Sequence, residues 1–305
     1  MKPILPTPIQ RFLIVGAVCW VYGSMAFLHP RSAAAGDSSS ILMDPAVDTA
    51  SFIDKDTLNE CSGLAFSHRN AKRFWTHNDS GGKPQLFAVD QNGKSRGQCK
   101  LKGIDPTDWE DMASFKVGEI PYLLVADCGD NRGIRKSIQL YIFKEPNPDK
   151  STTLDEFLTL KVNYDSGPQN CEAVAVDSKR KQIILIGKTR FLPASVHVLP
   201  LPKNIKNGKA NLQAARIGSL PIPFVTAMDC DVANGDIWVI NYFQAFRFRR
   251  SQTTNSIAQQ IKTLPQPISL PKWKQIEAAT VNHESRLWIS SEGRPTPLGR
   301  LKVRN

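Results

Sequence analysis

Five diverged copies of one short pattern, an acidic residue followed by small and apolar residues, constrain this chain more than any other feature. They run Glu60–Phe66, Glu110–Phe115, Glu172–Asp177, Asp229–Asn234 and Glu277–Asn282. A β-rich run follows each acid after roughly eight to twelve residues: Arg73–His77, Tyr122–Asp127, Gln182–Gly187, Asp236–Tyr242 and Arg286–Ser290. From acid to acid the numbering advances by about 50, 62, 57 and 48 residues. Periods of this size, each holding several short strands, mark a propeller in which every repeat is one sheet.

The last repeat supplies three strands, Glu277–Val281, Arg286–Ser290 and Gly299–Val303, and lacks a fourth. Leu42–Ile53 is apolar enough to provide it, which would close the ring and cover its edges. The fold expected is therefore all-β: a five-bladed β-propeller closed by an N-terminal strand, with six blades as the alternative. Ser256–Leu264 is expected to be the outer strand of the fourth repeat. Helical periodicity is nearly absent, and Lys272–Ala279 is the one candidate for a turn or two of helix.

Residues 1–35 stand apart from the repeats. Phe12–Leu28 is apolar, Arg11 precedes it, and Ala33-Ala34-Ala35 offers a small-residue cleavage site. A cleaved signal peptide is expected, with an uncleaved membrane anchor as the alternative, and a secreted or periplasmic protein follows. Residues 36–305 contain no linker or low-complexity break and are expected to form one propeller domain. The formal charge of +11 is dispersed over the chain. That favours anionic partners or a peripheral membrane contact, while no reader motif supports specific nucleic-acid binding. A monomer is expected. Five cysteines follow the presumptive cleavage point, an odd number that leaves at least one thiol unpaired. Their spacing matches no zinc site.

In a propeller the first strand of each blade lines the central channel, and the loop leaving the second strand returns to the same mouth. The five repeat acids, Glu60, Glu110, Glu172, Asp229 and Glu277, are expected to ring that mouth. Carboxylates crowded there repel one another unless protonated, paired or neutralised by a cation. Oxygen ligands of this kind favour Ca²⁺, with Mg²⁺ second. The competing reading is that the acids bond neighbouring backbone amides and lock blades together. The loops add His77, Asp79 and Asp130 as acid/base candidates, and Asn78, Asn131, Lys188 and Arg294 as contacts for a small anionic substrate.

Ser62-Gly63-Leu64-Ala65, His77-Asn78-Asp79-Ser80-Gly81, Asp108-Trp109-Glu110-Asp111 and Asp127-x-Gly-Asp130-Asn131 resemble a family of exported bacterial propeller proteins. More distantly, the five channel acids are similar to the arrangement in calcium-activated apyrases, and to the metal-holding channel of the regucalcin and gluconolactonase-like group. The resemblance implies a divalent cation at the channel. One departure is Asp229, shorter than the Glu of the other repeats, and apyrase motifs proper are absent. The function expected is a metal-dependent hydrolase of phosphate esters or lactones. The alternative is a ligand-binding or scaffold propeller with a structural ion.

Overall fold

The computed structural model describes residues 38–79, 82–191, 193–253 and 255–303. The chain divides into two units, Met1–Ala35 and Gly36–Asn305. The expected signal segment lies outside the described residues. No described helix is long and apolar enough to cross a membrane.

Strands dominate. A short helix α1 (Ser38–Leu42) precedes strand β1 (Val47–Ile53). A meander then runs β2 (Cys61–Phe66), β3 (Arg73–Asn78), β4 (Gln85–Asp90) and β5 (Ser95–Leu101). The next has β6 (Trp109–Val117), β7 (Ile120–Asp127) and β8 (Ile138–Lys144), then β9 (Ser151–Leu154) and β10 (Leu158–Tyr164). The third is β11 (Cys171–Asp177), β12 (Gln182–Gly187), β13 (Ala194–Pro200) and β14 (Gly208–Leu220). The fourth is β15 (Val225–Cys230), β16 (Ile237–Asn241) and β17 (Gln244–Phe248), with helix α2 (Ile257–Gln260) before β18 (Gln266–Ser269). The last is β19 (Ile276–Val281), β20 (Leu287–Ser291) and β21 (Thr296–Leu301).

The pairing joins these strands into sheets of 4, 5, 8 and 4 strands. The eight-stranded sheet is two meanders fused at their outer edges. The first half of the long β14 runs parallel to β10, and its second half runs antiparallel to β13. β1 pairs antiparallel with β21, from Val47↔Leu301 to Ile53↔Thr296, so an N-terminal strand completes the sheet of β19–β21. β9 leaves its own meander and adds in parallel to β5.

The strands that begin the meanders, β2, β6, β11, β15 and β19, are buried along almost their whole length. Each lies against the first strands of its neighbours, and β19 returns to β2. Close approach of these strands accounts for their small residues, among them Gly63, Ala65, Ala113, Ala173, Ala175, Ala227 and Ala278. Outer strands such as β10 and β18 alternate buried and open positions, as a half-covered sheet should. Each of the five apolar clusters straddles one junction between consecutive meanders. Trp75, Trp109, Trp238 and Trp288 are among the largest fully buried side chains. The molecule is thus all-β and propeller-like, with its core in the layers between sheets.

Two expectations fail here. Lys272–Ala279 is not helical: Ile276 opens β19. Within Ser256–Leu264 lies α2 rather than a strand. Its Ser256 cap accepts from the Gln259 amide while the Gln259 side chain returns to the cap, a capping box that out-competes extension.

Candidate functional site

Every first strand carries a bulge near its start. The register shifts fall between Cys61 and Gly63, Trp109 and Asp111, Cys171 and Ala173, Val225 and Ala227, and Ile276 and Ala278. The residues at the bulges are Ser62, Glu110, Glu172, Thr226 and Glu277. Three of the expected ring acids therefore occupy equivalent positions and two do not. Glu60 lies in the loop before β2 and is exposed. Asp229 lies three residues beyond the bulge of β15. An alignment on acids follows charge, whereas the backbone repeats on the bulge, where a polar side chain can leave the ladder. Ser62 Oγ donates to the Glu110 carbonyl at 2.6 Å, and Thr226 Oγ1 donates to the Ile276 carbonyl at 2.9 Å. Both bonds reach the first strand of another meander.

Around Glu110 the chain assembles three carboxylates. Oxygens of Asp79, Asp108 and Glu110 lie within 4.8 Å of one another. Asp79 leaves β3 with its amide bonded to the Glu60 carbonyl at 2.8 Å. Asp108 leads into β6, and its carbonyl accepts from the amides of Cys128 and Gly129. A side chain at Gly129 would collide with the carboxylates of both Glu110 and Asp108, so only glycine admits them here. Asp127 braces the loop from behind, accepting from the amides of Thr107 and Asp108 and from Arg135 at 2.8 Å. Burial, then the charges of Glu172, Asp79 and Asp108, hold the Glu110 carboxyl well above its usual range.

The acidic chain continues around the mouth. Glu172 accepts from Asn170 Nδ2 at 2.8 Å and from Lys188 Nζ at 3.1 Å. Burial raises its pKa, and Lys188 opposes the rise. Lys188 lies 3.9 Å from Glu277 and 5.3 Å above the Tyr242 ring. Burial would lower its pKa, but Glu172 and the other partners outweigh that and keep it raised. Tyr242 donates its hydroxyl to Glu277 at 2.8 Å, and its pKa is pushed up to about 12, by burial first and then by Glu277. Glu292, half-buried after β20, is pushed up to about 7 by burial, then by Glu277.

Two further acids do what the competing reading expected. The fully buried Asp111 accepts from the amides of Met112, Val174 and Met228, tying β6 to β11 and β15. Burial nevertheless raises its pKa well above the usual carboxylate value. Asp229 accepts from the amides of Cys230 and Val281 and the hydroxyl of Thr280, each at 2.8 Å, tying β15 to β19. Burial raises it to about 7 against those donors.

The other sequence candidates separate by position. His77 is fully buried in β3, edge-on to Trp109 at 5.4 Å, and its Nδ1 meets the Asn78 carbonyl at 2.8 Å. Burial lowers its pKa to about 4. Asn78 organises the loop before β2 through Asn59, Glu60 and Thr57. Asp130 accepts from the Arg135 amide at 2.7 Å. Asn131 is exposed and accepts weakly from Asn170 at 3.3 Å, and Arg294 is exposed. The structure thus gathers Asp79, Glu110, Glu172, Lys188 and Glu277, with Glu292 from the loop after β20, and adds Asp108, which sequence reasoning left out of the site. Asp108 stood in plain view in the Asp-Trp-Glu-Asp motif, two residues from Glu110. Five buried cysteines carry free thiols.

Two cavities lie away from these carboxylates. A cavity of about 350 Å³ is lined by His68, Lys116, Asp177, Lys179 and Asp231, beyond the other ends of the first strands. Another of about 370 Å³ is lined by Lys55, Thr57, Asn78, Lys83, Gln85 and Phe87, and so adjoins Asp79 along the chain.

No protein-family model matches the sequence, and no curated protein matches it. Among solved structures, a gluconolactonase from Xanthomonas campestris superposes with a TM-score of 0.44 at 10% identity, over 79% of this chain and 72% of that one. A PQQ-bound aldose sugar dehydrogenase from Streptomyces coelicolor gives 0.43 at 10% identity, over 86% and 100%. A glucose dehydrogenase gives 0.48 at 9% identity, over 84% and 100%. These likenesses are too distant to carry an activity across.

Proposed function

We propose that the chain is an exported five-bladed propeller that binds a divalent cation through Asp79, Asp108 and Glu110, calcium ahead of magnesium. The observation behind this reading is the convergence of those three carboxylates at one end of the first strands. Carboxyl groups so close and partly buried oppose one another's ionisation, as the raised pKa of Glu110 reflects, and a bound cation would relieve that opposition. Hard oxygen ligands drawn from the end of β3, the entry to β6 and the β6 bulge suit the irregular coordination that calcium accepts better than the octahedron magnesium demands.

The activity proposed is hydrolysis of a small anionic ester or lactone at this mouth. A bound ion would polarise a carbonyl or phosphoryl oxygen. Lys55 and Lys83, beside the cavity that adjoins Asp79, would attract the anion. Glu292 supplies a half-buried carboxyl suited by its raised pKa to hold or release a proton near neutrality. A non-catalytic binder is the second reading, favoured by the way Lys188 and Tyr242 tie up Glu172 and Glu277. Metal analysis of the purified protein, followed by esterase, lactonase and phosphatase assays with and without chelator, decides between them. Chelator-sensitive turnover lost in Asp79→Asn supports the hydrolase. Bound calcium without turnover supports the binder, and no bound metal removes both.

A further inference from the structure

We infer that the face bearing the acidic mouth docks on an anionic lipid surface through the loops after β7, β12 and β16. Each of these loops leaves its strand beside the start of a first strand, as the pairs Trp109↔Asp127, Cys171↔Gly187 and Val225↔Asn241 require. Each also presents one large apolar side chain to solvent: Ile134 is 63% exposed, Phe191 93% and Phe243 66%. Met43 and Leu264 are exposed as well, but Ile134, Phe191 and Phe243 stand on consecutive meanders at one end of the first strands, and two of the three stand beside cations.

Cations accompany them. Arg132 and Lys136 flank Ile134, and Arg190 precedes Phe191; all three are exposed and form no ion pair with a described residue. The chain as a whole is basic, with a formal charge of +11. Separate apolar tips, each on its own loop and two of them beside cations, differ from the core of a protein interface, which is continuous and poor in charge. They fit a bilayer surface, where aromatic and aliphatic tips enter the boundary region while Arg and Lys meet lipid phosphates. The carboxylates gathered around Glu110, Glu172 and Glu277 are buried or half-buried, whereas these three cations are exposed. Asp54, Asp56, Glu60 and Asp105 are exposed too, in the loops before β2 and β6, whereas the cations stand on the loops after β7 and β12. The inference does not depend on the cation or on turnover.

The test is flotation of the compact unit Gly36–Asn305 with phosphatidylcholine vesicles, with or without phosphatidylglycerol, at low and high salt. Two triple variants accompany the wild type: Ile134→Ser/Phe191→Ser/Phe243→Ser and Arg132→Gln/Lys136→Gln/Arg190→Gln. The wild type is expected to float with anionic vesicles and to release as salt rises. Each triple variant should weaken the partition by about tenfold or more while melting like the wild type. No flotation overturns the inference, as does flotation that both variants retain. A wild type that self-associates through this face, with the apolar triple variant monomeric and neither bound to vesicles, also overturns it. Loss of flotation with calcium binding intact separates this surface from the proposed ion site.

Discussion

Gly129 shows how one missing side chain makes room for chemistry. The carboxylates of Asp108 and Glu110 lie where a Cβ on this residue would stand, so a methyl group must push at least one of them aside. Gly129→Ala is expected to cost about 1–3 kcal/mol, as over-packing does, and to weaken calcium binding, read by denaturant unfolding and by ion titration. Asp229 makes the opposite use of a carboxyl, spending both oxygens on strand contacts. Its folded pKa of about 7 lies above the ordinary 3.8, so the folded state takes up a proton that the unfolded state releases. Stability from this group is therefore present at low pH and falls as pH rises through about 7. The advantage of wild type over Asp229→Asn should narrow between pH 5 and pH 8 in paired thermal melts. His77, lowered to about 4, acts the other way and loses stability as pH falls below 6.5, but it is common to both proteins and cancels in the difference.

At the scale of the strand, the bulge and the buried acid are what tie neighbouring sheets together. Asp111 satisfies amides on β6, β11 and β15, so Asp111→Ala leaves those donors buried and unpaired. A loss of about 3 kcal/mol or more is expected, since each unsatisfied buried group costs roughly 1–3 kcal/mol; a midpoint unchanged in urea would refute the assignment. β1 acts at the outer edge: starting the chain at Asp54 strips β21 of its partner and should give a less stable, aggregating protein, checked by melting and light scattering. The strands around the mouth were legible because small-residue runs and turns recur at a steady interval. The bulge register was hidden, because Ser62 and Thr226 share their position with Glu110 in geometry but not in charge. β9 was hidden for another reason. It pairs with β5, about fifty residues earlier, and four residues of Ser, Thr and Leu carry no sign of that partner. α2 could have been read: Ser256 followed three residues later by Gln259 is a helix-start signal.

Over the whole molecule, the ring of first strands brings acids from distant parts of the chain to one mouth, where the proposed cation would bind. An ion that binds the folded state alone adds about 2.7 kcal/mol at a hundred times its dissociation constant, worth roughly 5 °C or more in a domain of this size. The measurement is the thermal melt of Gly36–Asn305 in chelator and in millimolar calcium, for the wild type, Asp79→Asn, Glu110→Gln and the distant control Lys179→Gln. A calcium-dependent rise is expected in the wild type and in Lys179→Gln, and the two acid variants should lose it. A wild type indifferent to calcium, with Glu110→Gln more stable than the wild type in chelator, would mean that removing charge, and not binding an ion, is what relieves this mouth.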